Sequence, residues 1–334
     1  MKPAFAHPRT MLVLLGAAAV LVLLVTPLLG PDVIPPGALF GRGDPAEIRI
    51  LRQLRIPRVL TAWLAGCALA LCGMTFQALF RNPLATPFTL GASSGAALGA
   101  SIAIRFGAAT ALFGLPLQAA GAFAGALLTV ALVYGLTRMK GGFSTTTLLL
   151  AGLAVSFFFS SLILFIQYLA GVEHTFRIVR WLMGSVAVTD YGPPLMLFLI
   201  AAGGLAVLTA HVRELNLLAA GEEIALSRGA EVDRIKKWLY LAVSLMVGGV
   251  VAVCGPIGFV GMMAPHICRL LVGPHHRYLL PASALFGGAF LALCDLGART
   301  LIAPADMPVG VWTALIGGPF FIVLLLTRAV QHEM

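Results

Sequence analysis

Apolar residues in this chain come in long unbroken stretches joined by short polar connections. A helix needs about 20 predominantly apolar residues to cross the hydrocarbon of a bilayer. Ten stretches approach that length, near residues 11–30, 59–80, 90–106, 111–136, 147–170, 193–212, 238–256, 257–272, 279–297 and 308–327. The eighth is short and interrupted by Gly258, Gly261 and Pro265. The pattern predicts an all-α integral membrane protein of about ten transmembrane helices, a single domain over residues 1–334. The first stretch, "MLVLLGAAAVLVLLVTPLLG", exceeds the roughly 7–15 apolar residues of a signal peptide, and no A-x-A site follows it. An uncleaved first span is therefore expected, and an even count returns both termini to one side.

Two stretches break the pattern. Within 214–231, Leu217, Leu218, Gly221, Ile224 and Ala225 share one helical face, while Glu222, Glu223 and Arg228 occupy the remainder. The piece is too charged to span, and Gly229 suits a helix end. Helices that lie on lipid favour Lys and Arg on their polar face, whereas this one has more acid than base. A protein partner fits better. The second stretch, "RILRQLRIPR", spaces Arg49, Arg52, Arg55 and Arg58 three apart in an outer loop, 31–58, that also holds Arg42. Such spacing is that of a voltage sensor, but the run is short and Pro57 breaks it. These arginines either fork onto carboxylates of an arriving protein or are simply solvated.

Composition agrees with lipid as the main solvent. Hydrophobic residues make up 60% and charged residues 10%, against roughly 45–50% and about 25% in soluble domains. The net charge of +9 is scattered through the connections, which suits orientation in a bilayer rather than nucleic-acid binding. With the N-terminus inside, most basic residues and all four lysines fall on the inner side. The five cysteines form no C-x-x-C pair and read as small buried hydrophobes. Gly91, Gly95 and Gly99, and likewise Gly121 and Gly125, form small-xxx-small rows suited to close helix packing. "CGMTFQALFRNP" and "CGPIGFVGMMAP" give a faint internal echo of the kind left by inverted repeats.

Candidate chemistry is sparse. No acid or base is expected deep within a span, which argues against a self-powered, ion-coupled carrier. The dipeptide Gly-Lys is absent, so no phosphate-cradling loop can form, and no H-E-x-x-H occurs. No catalytic residue is assigned. His266, with Met262, Met263 and Cys268 nearby, is the most tempting metal ligand, but a side chain at the membrane interface is the preferred reading. No metal site is assigned.

Four blocks carry a family resemblance: "LRIPRVLTAWLAGCALALCGMTFQALFRNPLATPFTLGASSGAALGA", "LNLLAAGEEIALSRGAEV", "GPIGFVGMMAPHICRLLVGPHHRYLLPASALFGG" and "DLGARTLIAPADMPVGVWTALIGGPFF". In this order they resemble the membrane permeases of binding-protein-dependent ABC importers for iron chelates, haem and vitamin B12. The resemblance implies a ten-span homodimer in the bacterial inner membrane, both termini cytoplasmic, with the pathway between the copies. It implies short cytoplasmic coupling helices over 214–231, in which Leu217, Leu218, Gly221, Glu222, Glu223 and Arg228 transmit motion from two ATP-binding cassette subunits. ATP and Mg belong to those subunits, and this chain would bind no cofactor. Arg55, Arg58 and Arg299 would receive acidic side chains of a periplasmic binding protein. Asn82, Leu84, Thr145 and Thr146 would line an inner gate. The rivals are a stand-alone secondary transporter with inverted repeats and a membrane enzyme acting through His266.

Overall fold

The structure is a computed structural model that describes residues 7–83, 85–86, 91–106, 111–112, 115–139 and 145–332. Among these residues fourteen α-helices follow one another: α1 (Pro8–Val25), α2 (Pro45–Ile50), α3 (Ile56–Leu79), α4 (Ala92–Arg105), α5 (Leu117–Met139), α6 (Thr145–Leu169), α7 (Val172–Leu182), α8 (Gly192–Ala210), α9 (Val212–Ala220), α10 (Glu222–Ser227), α11 (Val232–Cys254), α12 (Val260–Val272), α13 (His276–Thr300) and α14 (Val309–His332). A two-rung antiparallel pair, β1 (Ala111–Leu112) with β2 (Leu115–Pro116), precedes α5. The fourth span therefore starts at Leu117 rather than at 111.

Each of the ten expected spans coincides with a helix, and seven helical runs among the described residues are long and apolar enough to cross a membrane. The weak eighth span is α12. Its 13 residues reach about 20 Å, short of the about 30 Å hydrocarbon. Pro265 lies inside it, and Phe259 enters it with φ 67°.

The supposed outer loop 31–58 is largely helical. Residues 45–79 form one continuous helical run, α2 joined to α3 through a π turn at Leu51–Arg55. Pro57 follows that turn. A proline has no N–H to donate and its ring crowds the preceding turn; the wider π turn relieves both problems at once. Leu51 is buried with Ile34 and Ala38, which pins the chain after α1 onto this extension.

α3 is the axis of the bundle. Its best membrane window is 78% buried, against 6% for α1. Lipid provides no hydrophobic drive between helices, so small residues that admit close van der Waals contact decide the packing. A Cβ at Gly66 would overlap the carbonyl of Gly287 on α13, and one at Gly73 would overlap the carbonyl of Gly261 on α12. The expected glycine rows pack in the same way: Gly95 and Gly99 of α4 lie against Gly125 and Gly121 of α5. The two copies of the internal echo differ locally: Cys72 sits inside α3, whereas Cys254 is the last residue of α11.

We predict that Gly73→Ala lowers stability by about 1–3 kcal/mol through overpacking, while Gly135→Ala, with open space around its Cβ, is neutral. Thermal unfolding in detergent checks this. Equal midpoints for the two variants would contradict the packing account.

Candidate functional site

Functional polar groups collect at opposite ends of the α3–α13 pair. At the first end, Arg58 near the start of α3 reaches Asp295 of α13, with Nε 2.9 Å from Oδ1 and Nη2 2.8 Å from the same oxygen. Its two terminal nitrogens also fork onto Asp306, each at 2.8 Å. Asp295 is fully buried and lies 3.6 Å from Arg299 Nε. An acid thus sits in α13, five residues before its end. α13 continues to Thr300, beyond the boundary that the apolar run suggested, and two guanidiniums neutralise the carboxylate.

Arg55 and Arg299 are turned inward as well. Arg299 donates to Thr26 O at 2.6 Å, and Arg55 to Leu28 O at 3.1 Å and Asp32 O at 2.7 Å. The carbonyls at and beyond a helix C-terminus lack intrahelical partners and carry partial negative charge. These two arginines satisfy the segment that follows α1. Of the three arginines expected to face a partner, Arg55 and Arg299 are buried within the chain, whereas Arg58 is partly exposed and bonded to the half-exposed Asp306. Arg42, Arg49, Arg52 and Arg180 are exposed at this end.

Asp306 lies in the connection between α13 and α14. The hydrogen bonds from Arg58 hold its carboxyl below the usual carboxylate range. A depressed folded pKa means that the pair stabilises fully above the ordinary carboxylate pKa and is lost as pH falls through the lower folded value.

At the opposite end, the 214–231 piece is two helices, α9 and α10. Gly221 between them adopts φ 146° and ψ 148°, a backbone region essentially restricted to glycine. This break shifts the helical phase, so the apolar residues do not share one face. Leu218 and Ala225 are buried and Leu217 is partly buried, but Ile224 is 47% exposed and Leu226 60% exposed. Glu223 and Arg228 flank them on the surface. Glu222 turns back to Lys236 of α11 at 2.6 Å. The result is a knob with an apolar tip and a charged rim, clamped to the bundle. Asn216 of α9 accepts from both the backbone N and Nδ1 of His276, at the start of α13, each at 2.9 Å. Arg269 of α12 donates to Gln77 of α3 at 2.9 Å, and Gln77 donates to Met262 O at 3.2 Å.

A sequence model described as the FecCD transport family matches residues 11–327. The chain belongs to the FecCD transport family. Similar relatives include the cobalamin import system permease of Halobacterium salinarum, 41% identical over 87% of this chain and 77% of the relative. The molybdate import system permease of Haemophilus influenzae is 37% identical over 87% of this chain and 85% of the relative. A solved structure described as an inward-facing metal-chelate type ABC transporter superposes with a TM-score of 0.83 at 32% identity, covering 96% of this chain and 99% of that one. As a FecCD protein the chain is a multi-span membrane transport protein.

Within this FecCD chain, Asn82 is exposed in the turn after α3, and Thr145 and Thr146 open α6. Leu84 lies outside the described residues. A hollow of about 440 Å³ between α4, α6 and α7 is lined by Ser93, Ser94, Ser156, Ser160 and Gln167. Sequence reading passed over these uncharged hydroxyls, although Ser156 and Ser160 stand four apart, on one helical face. His266 is buried edge-on to Phe320, 6.2 Å between ring centroids.

Asp295→Ala strands the buried Arg299 and the partly exposed Arg58 and is expected to cost about 3–5 kcal/mol. Asp306→Ala removes a half-exposed partner and should cost about 1 kcal/mol or less. Unfolding in mixed micelles measures both, and the reverse order would contradict the assignment of Asp295 as the centre of the cluster.

Proposed function

We propose that this chain is the permease subunit of a binding-protein-dependent ABC importer in the bacterial inner membrane. Two copies would pair, and two separate ATPase subunits would drive them. The observation that carries this reading is the α9–Gly221–α10 knob: an exposed apolar tip, clamped through Lys236, Asn216 and His276 to the span bundle. A surface seated in an ATPase and fixed to the bundle passes motion on without chemistry of its own. Neighbours named for cobalamin, molybdate and metal chelates support import of a small anionic or chelated metal species. Iron chelates, haem and cobalamin remain the solute class we assign.

The serine-lined hollow is uncharged and open on one side, half of a pathway that a second copy would complete. Hydroxyls there let a bulky solute slide without tight binding, so selection is left to the binding protein. Asn82, Leu84, Thr145 and Thr146 are assigned to the inner gate. The binding protein would approach the arginine end. Its carboxylates would compete with Asp306 for Arg58 and meet the exposed Arg49 and Arg52, while Arg55 and Arg299 hold the shape of that surface. Asp295 does not supply ion coupling, because its charge is already taken by Arg58 and Arg299.

Reconstitution in liposomes tests the proposal. Uptake is expected only with ATP, the ATPase and the binding protein together. The pair Glu223→Lys and Ile224→Ser should abolish ATPase co-purification, and Arg58→Glu should abolish stimulation by the binding protein with assembly intact. Accumulation driven by an ion gradient alone would sink the proposal in favour of a secondary carrier.

A further inference from the structure

α8 carries adjacent glycines, Gly203 and Gly204, where it meets α11. A Cβ at Gly204 would strike Met246, but one at Gly203 meets nothing within 4 Å. The space it leaves is part of an apolar groove of about 470 Å³, lined by Leu199, Gly203, Val207, Trp238, Leu241 and Leu245. At the α9–α10 end the groove runs into a second cleft of about 610 Å³, and Val207 and Trp238 line both. The second cleft changes character: its polar lining is His211, Arg213, Glu214, Arg228, Glu231 and Arg234.

Depth assigns the two compartments. α8 and α11 are among the helices long and apolar enough to span, so a groove between them that opens outward faces acyl chains. Trp238, 55% exposed, stands where the lining turns polar, the level that tryptophan prefers at a membrane interface. The cleft beyond it lies at headgroup level. A protein partner could enter the cleft but not the groove, which lies at acyl depth.

The charges in the cleft are only partly consumed within the chain. Arg234 pairs with Glu231 at 3.2 Å, and His211 Nδ1 lies 2.8 Å from Val207 O. Arg213 and Arg228 make no ion pair among the described residues. Glu214 lines the same cleft, and its Oε2 is shielded from solvent without a hydrogen-bond donor. Two unused guanidiniums beside one unused carboxylate match a phosphodiester joined to a primary ammonium.

We infer that groove and cleft together bind one ethanolamine phospholipid from the leaflet on the α9–α10 side. An acyl chain fills the groove beside Gly203, the phosphate sits on Arg213 and Arg228, and the ammonium pairs with the Glu214 carboxylate where that residue lines the cleft. Basic pockets between membrane helices are established headgroup sites in general. Here the lipid would brace the knob from behind, since Arg213 and Glu214 belong to α9 and Arg228 follows α10. The inference rests on the membrane placement of α8 and α11 and not on the ATPase reading.

The test is native mass spectrometry of the full-length chain, delipidated in mild detergent and titrated with phosphatidylethanolamine or phosphatidylglycerol. One phosphatidylethanolamine per chain is expected, in preference to phosphatidylglycerol. Arg213→Ala with Arg228→Ala should weaken retention about tenfold or more, the equivalent of losing a charge-assisted hydrogen bond. Gly203→Leu, whose side chain enters open space and leaves the fold intact, should weaken it similarly by filling the groove. Glu214→Gln should erase the headgroup preference while lipid is still retained. Retention unchanged by Gly203→Leu, equal retention of both lipids by the unaltered chain, or expulsion of the lipid when the ATPase co-purifies would each overturn the inference. Loss of lipid binding in Gly203→Leu with ATP-dependent uptake intact would leave the proposed function standing, so the two fail separately.

Discussion

The structure depends on the close approach of α3 and α13. Gly66 and Gly287 let two backbones meet where any Cβ would collide with a carbonyl. Gly288 makes room in the same seam for Trp63 and Cys67. Lipid drives no such contact, so its strength comes from many small dispersion terms that vanish once the backbones part. The contact makes the two helices a single strut across the protein. Each end of the strut carries a cluster of polar groups that joins neighbouring helices.

That geometry explains where the buried charges lie. At one end Arg58 and Asp295 join the two helices directly, and Asp306 closes the connection after α13 over them. A buried ion pair is often no better than an apolar substitute, but breaking one is costly. The cluster therefore acts as a register pin, fixing which part of α3 faces which part of α13. Arg55 and Arg299 extend it to the carbonyls that follow α1, so hydrogen bonds at its end add to the packing of Met11, Leu12, Leu15 and Val22 in holding the first span. At the other end, α9 is fastened to α13 through Asn216, and α12 to α3 through Arg269 and Gln77. A displacement of the knob therefore meets the strut at once.

The spans were legible because run length is a strong signal, and all ten lie where apolar residues accumulate. The glycine rows were legible for the same reason, since small residues at four-residue spacing have few other uses in lipid. What escaped was everything that depends on helix phase or on partners distant in sequence. Asp295 drew no notice because nothing local reveals that Arg58, more than two hundred residues away, would neutralise it. The arginine stretch read as a loop because Pro57 signals a break, whereas a π turn absorbs it. The two coupling helices over 214–231 were expected from the resemblance, but the single apolar face read from spacing is split at Gly221. α7 was missed although Val172, Phe176 and Val179 repeat at helical spacing; its eleven residues are too few to register as a span.

Distances between spin labels on Gln53, Leu293 and Ala219, all exposed, test the strut most directly. Pulsed electron resonance would compare the ATPase complex without nucleotide and trapped with ATP. If α3, α13 and α9 move as one body, the Gln53–Leu293 and Ala219–Leu293 distance distributions superimpose in the two states. A shift or broadening of either on ATP trapping would show that the helices slide past one another, and would contradict the account.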